Sequence, residues 1–225
     1  EAGAKGAKPK IWRKDPKTGL LTLLFHPGQK RVWDSVKRNV FMLSGTGVGK
    51  TSLIPCWLHR EITRAKDRLA PGDPVGDFLA VTATYDLFKT KLLPAMMEFF
   101  EDKCLAIGRY HPGDRIIELT DGLEPHGTFL ANRQDDPMYG RIILRAAAAP
   151  SGLESSTVKA VVMDEAGLPE YQLETWEALQ RRAASPENCI RRIEGITYCF
   201  KIPIRTSAYS FSVSLLPRFS RMKLM

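Results

Sequence analysis

The stretch Ser44-Gly45-Thr46-Gly47-Val48-Gly49-Lys50-Thr51 restricts what this chain can fold into more than any other. Before it lies a short apolar run, Asn39-Val40-Phe41-Met42-Leu43, fit for a buried central strand. After it, Leu53, Ile54, Trp57, Leu58 and Ile62 recur at helical spacing, which predicts a helix over residues 51–65. Strand, glycine-rich turn and helix in that order form the setting of a phosphate-binding loop. Backbone N–H groups of residues 45–51 can wrap phosphates there, and the positive end of the helix dipole adds attraction. Lys50 is expected to reach the β- and γ-phosphates as a point charge, and the Thr51 hydroxyl to ligate Mg²⁺. The predicted nucleotide-binding stretch is therefore Ser44, Gly45, Thr46, Gly47, Val48, Gly49, Lys50, Thr51 and Ser52. The usual pattern opens with glycine where this chain has Ser44, and serine is strained wherever φ must be positive. The plainer alternative is a glycine-rich turn that merely contains Gly-Lys-Thr.

A second stretch points the same way. Residues 158–163 are almost continuously apolar, as parallel strands covered on both faces are, and Asp164-Glu165 follow at once. Carboxylates at the carboxyl end of such a strand face the crevice where open α/β sheets bind ligands. Asp164 is placed to hold Mg²⁺ through water, and Glu165 to act as general base on the attacking water. Upstream, Phe25-His26-Pro27-Gly28-Gln29 precedes a helical stretch over residues 30–38. Gln29 offers both a donor and an acceptor, as an adenine edge requires.

Net charge is +8 but unevenly spread. Residues 1–18 carry six basic and two acidic groups, and residues 190–225 seven and one, leaving 20 basic against 22 acidic between them. Basic ends on a near-neutral middle predict contact with a polyanion, DNA or RNA, unless the leader serves only solubility. Cys56, Cys104, Cys189 and Cys199 show no metal or redox spacing, and the four histidines are scattered. No apolar stretch is long enough to span a membrane and no signal peptide is visible, so a soluble, intracellular protein is expected.

Along the chain, residues 1–18 read as a disordered basic leader. A second core strand is expected over residues 78–84 and a helix over 86–104. A hairpin should pair 116–119 with 128–130, a strand should begin at 141, and a helix should cover 171–184. Strands alternating with helices predict an α/β fold, a three-layer P-loop NTPase with a mostly parallel central sheet flanked by helices. From Pro186 onward acids nearly vanish and the rhythm fades.

These motifs together resemble the ATPase domain of tailed-phage terminase large subunits. The likeness rests on His26-Pro27-Gly28-Gln29, the Ser44–Thr51 stretch, Thr84-Tyr85-Asp86-Leu87-Phe88-Lys89, Asp135-Asp136-Pro137-Met138-Tyr139-Gly140-Arg141, Ser151-Gly152-Leu153-Glu154-Ser155 and Asp164-Glu165-Ala166-Gly167. It covers about residues 20–184. The resemblance implies an ATP- and Mg²⁺-dependent motor acting in the host cytoplasm and at the viral procapsid. It also implies double-stranded viral DNA, a portal, a small terminase subunit and further copies of the chain as partners. Lys50, Thr51, Asp164, Glu165 and Gln29 take the roles given above. A charge-stabilising arginine is sought among Arg141, Arg145, Arg181 or a neighbouring subunit. Two departures are visible. The further core strand expected after the Asp-Glu helix has no clear match in residues 185–225, where Gly195-Ile196-Thr197 fits poorly, and no nuclease domain follows. This predicts a domain over 19–184 and an atypical tail, that of a truncated chain or of one read in another frame. The alternatives are a helicase-like nucleic-acid-stimulated ATPase and a truncated nucleotide-binding product without turnover.

Overall fold

A computed structural model describes residues 11–37, 39–44, 47–70, 73–120, 140–153, 157–183 and 196–201. The strands are β1 Trp12–Lys14, β2 Leu21–Leu23, β3 Asn39–Ser44, β4 Gly76–Thr82, β5 Gly108–His111, β6 Ile116–Leu119, β7 Gly140–Ala146, β8 Val161–Asp164 and β9 Ile196–Lys201. The α-helices are α1 Pro27–Asp34, α2 Lys50–Lys66, α3 Tyr85–Leu87, α4 Leu93–Met97 and α5 Leu173–Arg182. Helical segments α3 and α4 belong to one run broken by wider π-type turns at Phe88–Leu92 and Glu98–Asp102. A short 3₁₀ turn occupies Pro150–Leu153.

Seven strands form one sheet in the order β3-β9-β8-β4-β7-β6-β5. The first five run parallel, whereas β6 and β5 are antiparallel additions at the far edge. Side chains alternate between its two faces, as a period of two requires. From β4, Phe78 and Ala80 join the core beneath α1, α2 and the 85–102 run, while Leu79 and Val81 join the core beneath α5. In β8, Val162 faces the first core and Val161 and Met163 the second. The result is a three-layer α/β domain. Helix α2 buries Leu53, Ile54, Trp57 and Leu58 almost completely, each worth about 1.5–3 kcal/mol relative to exposure.

Three expectations need correcting. The leader does not run to residue 18 as disordered chain, because Trp12–Lys14 pairs antiparallel with Leu21–Leu23. Packing holds this hairpin: Trp12 meets Phe99 edge-on, and Lys14 Nζ donates to the Cys104 carbonyl at 2.7 Å. Strand β6 finds its partners in β5 and β7; the expected partner 128–130 lies outside the described residues, as do residues 1–10 and most of the tail. The largest correction concerns that tail. Residues 196–201 are a central strand of the sheet, parallel to β3 on one side and β8 on the other. The domain therefore does not close at residue 184, because a further core strand, β9, follows α5.

Candidate active site

All five parallel strands end on the same edge, and the predicted site residues gather there. Strand β3 ends at Ser44, Gly47 and Gly49 carry positive φ (85° and 75°), and α2 starts at Lys50 with Gly49 as its cap. Gly45 and Thr46 lie outside the described residues. Gly49 has no side chain with which to cap α2, so the first N–H groups of the helix remain available to an anion. Ser52 lies exposed in the first turn. The Lys50 side chain is largely buried and folds back over the loop, its Nζ donating to the Ser44 carbonyl at 3.0 Å. The Ser44 hydroxyl is buried with no hydrogen-bond partner among the described residues. An orphaned buried hydroxyl costs stability, and Asn39 Oδ1 at the opposite end of β3 is left in the same way among the described residues.

Across the crevice, Thr51 Oγ1 donates to Asp164 Oδ2 at 3.0 Å, joining residues 113 positions apart. Asp164 is 2% exposed. Burial pushes its carboxyl above the ordinary 3.8, and the neighbouring Glu165 charge adds to that. The Thr51 hydroxyl, the Glu165 N–H and Lys50 pull the other way. Glu165 has φ of 54°, the left-handed region that non-glycine residues seldom enter. Such strain is found where a side chain must be aimed. Its own N–H donates to Asp164 Oδ1 at 3.1 Å, and its Oε1 accepts from Lys91 Nζ at 2.9 Å.

Lys91 was not legible in the sequence. It sits on the π-type turn Phe88–Leu92, 74 residues from Glu165. Such turns often occur at functional sites. Tyr171 is a second unforeseen participant: its hydroxyl lies 3.0 Å from the carbonyl oxygens of both Val81 and Asp164, tying the ends of β4 and β8 together.

Gln29 lies beneath the loop with its amide engaged. It is 1% exposed, with Oε1 accepting the His26 N–H and Nε2 donating to the carbonyls of Val48 and Gly49. Both amide protons are spent within the protein, so as placed it has no donor for an adenine edge. Among the arginines, Arg141 stands at the amino-terminal end of β7, away from the site, gripping Asp77 through Nε and Nη2 at 2.8 and 2.6 Å. Arg145 lies nearer the carboxyl ends but donates to the carbonyls of Gly152 and Leu144. Arg181 is exposed in the last turn of α5.

The donor set suits a polyphosphate with Mg²⁺. Thr51 Oγ1 and Asp164 Oδ2 are hard oxygen ligands converging on one point, and Mg²⁺ takes few protein ligands when phosphates supply the rest. Lys50 and the amides at the start of α2 supply positive potential beside it.

The fold and these residues define a three-layer α/β domain whose glycine-turned helix start faces a carboxylate pair. Its fold is that of the ATPase domains of large terminases. The ATPase domain of the Thermus phage P74-26 large terminase matches it with a TM-score of 0.53 at 16% identity, over 80% of this chain and 66% of that one. The large terminase of a thermophilic bacteriophage matches with a TM-score of 0.53 at 11% identity, over 79% of this chain and 39% of that one. The same phage's protein solved with ATP-γ-S gives 0.50 at 13% identity, over 79% and 38%. The chain thus spans just under two thirds of the first structure, itself an ATPase domain, and about two fifths of the second protein. No protein-family model and no curated protein sequence matches the chain. Among the described residues, no helix is long and apolar enough to cross a membrane.

Proposed function

We propose that this chain is the ATP-hydrolysing motor domain of a DNA-packaging terminase large subunit, with a P-loop NTPase fold. One observation carries the reading: the Thr51–Asp164 hydrogen bond, which brings the glycine-rich loop and the carboxylate pair to a single point. Ser44 to Thr51 and the first turn of α2 bind the phosphates, and Lys50 exchanges the Ser44 carbonyl for phosphate oxygens. Thr51 and Asp164 would hold Mg²⁺, which when bound neutralises charge on the β- and γ-phosphates. Glu165 orients the attacking water and takes its proton; Lys91 holds the carboxylate in place until then. The fold shared with terminase ATPase domains, one of them solved with ATP-γ-S, supports ATP as the nucleotide.

Strand β9 is the element we assign to coupling hydrolysis with movement. In register, Lys201 stands opposite Ser44 and Cys199 opposite Asp164, so β9 ends between the loop and the carboxylates. Loss of a phosphate from the crevice would be felt there first, which makes the end of β9 our candidate for an element coupling nucleotide to DNA. Duplex viral DNA is the translocated substrate, with a portal, a small subunit and further copies of the chain as partners. The test is phosphate release by the purified chain in Mg²⁺, with and without duplex DNA. Turnover that needs Mg²⁺ and rises with DNA is expected. No turnover under either condition contradicts the reading.

A further inference from the structure

Two side chains at the start of α1 reach behind the glycine-rich loop and hold it. His26 caps α1, its Nδ1 accepting the Gly28 N–H at 3.0 Å. With Nδ1 acting as acceptor, the proton of the neutral ring sits on Nε2. That atom lies 3.2 Å from the Val48 carbonyl and donates to it. Gln29 completes the cap: its Oε1 accepts the His26 N–H at 3.1 Å, and its Nε2 donates to the Val48 and Gly49 carbonyls at 3.3 and 3.2 Å. The amide can face only this way, because reversing it sets its oxygen against two carbonyls and its nitrogen against an N–H.

The consequence lies on the other side of the peptide planes. In a trans peptide the C=O and N–H point in opposite directions. Holding the Val48 carbonyl toward α1 turns the Gly49 N–H away from α1, and holding the Gly49 carbonyl does the same for the Lys50 N–H. These two amides open α2, where an anion is best received. Gly49 is needed for this approach as well as for its φ of 75°, since a Cβ there would stand 2.8 Å from Gln29 Nε2.

We propose that His26 and Gln29 are positioning residues for phosphate binding, clamping the Val48 and Gly49 carbonyls so that the Gly49 and Lys50 N–H groups face the ligand. Gln29 thereby acts on the polyphosphate end of a nucleoside triphosphate and not on its base. The proposal rests on the loop's being the nucleotide site.

Calorimetric titration of the purified chain with ATP, GTP and inorganic tripolyphosphate, each with Mg²⁺, tests it. Gln29→Ala removes two donated hydrogen bonds and is expected to weaken all three ligands by a common factor of about ten. His26→Asn keeps a good helix cap but is too short to reach Val48; it should produce a smaller loss, again common to all three. Melting curves verify that each variant is folded, and His26→Asn carries the test alone if Gln29→Ala is not. A loss confined to ATP, or no loss with any ligand, overturns the clamp while leaving the site reading intact. A parent chain that binds none of the three, or a Lys50→Ala variant that binds all three like the parent, instead overturns the site reading and the clamp with it.

Discussion

The two edges of the central sheet are built to opposite ends. At the amino-terminal edge of β4 and β7, charges sit in register and are satisfied. Arg109, Glu118, Arg141 and Asp77 form a row across β5, β6, β7 and β4, alternating in sign. Arg141 grips Asp77 through two nitrogens, and His111 meets Glu118 at 2.6 Å. At the carboxyl edge the polar groups are under tension instead. Asp164 is desolvated and Glu165 has left-handed φ. A fold tolerates such costs only where the remaining packing outweighs them, and they collect where chemistry is done. The comparison teaches which charges are there for stability and which for function.

Substitutions at the two edges should therefore part company. The largest effect belongs to Glu165→Gln, which keeps the shape and the Lys91 contact but removes the base. Single-turnover hydrolysis should fall by about 10² to 10⁴, with Mg-ATP affinity nearly unchanged. Equal losses in binding and rate would erase the separate role given to Glu165. Next comes Lys91→Met, which frees the Glu165 carboxylate from its ion pair. Turnover should fall within a factor of about ten while nucleotide affinity holds, since a half-exposed pair is worth about 1 kcal/mol or less. At the opposite edge, Asp77→Asn should cost about 1 kcal/mol of stability in chemical denaturation, with no change in nucleotide affinity.

Asp164→Asn makes the smallest and most telling change in stability. The folded carboxyl titrates above its ordinary 3.8, so the unfolded chain is the stronger acid. Between those two values the folded state binds more protons, and stability falls as pH rises. Above both, the buried carboxylate is a standing cost. Asp164→Asn should thus melt no lower than the parent at pH 7, with any gain vanishing below the ordinary pKa, even as Mg²⁺-dependent binding weakens. A clearly lower melting temperature at pH 7 would mean that the carboxylate serves the fold.

How far the sequence disclosed this depended on whether the signal was local. The apolar run of β3, the glycines and the helical spacing of α2 lie within about thirty residues, and the apolar strand ending in Asp164-Glu165 is equally compact. Strand β5, Gly108-Arg109-Tyr110-His111, has no apolar alternation and owes its existence to pairing with β6. Strand β9 carries β-branched and aromatic residues, yet its basic flanks disguised it; only its place between β3 and β8 makes it a core strand. Lys91 and Tyr171 reach the site through the fold alone, across 74 and 90 residues to Glu165 and Val81. For Gln29 the sequence singled out the residue but not its partners, because the partners of a side-chain amide are set by what folds against it. In the structure those partners are the loop carbonyls.

The contrast between the edges is tested most directly by Mg-ATP binding and thermal melting of the parent, Lys50→Ala and Asp77→Asn measured side by side. Lys50→Ala should abolish detectable Mg-ATP binding while melting close to the parent, and Asp77→Asn should melt lower while binding like the parent. A folded Lys50→Ala chain that binds Mg-ATP with the parent's affinity would contradict the account.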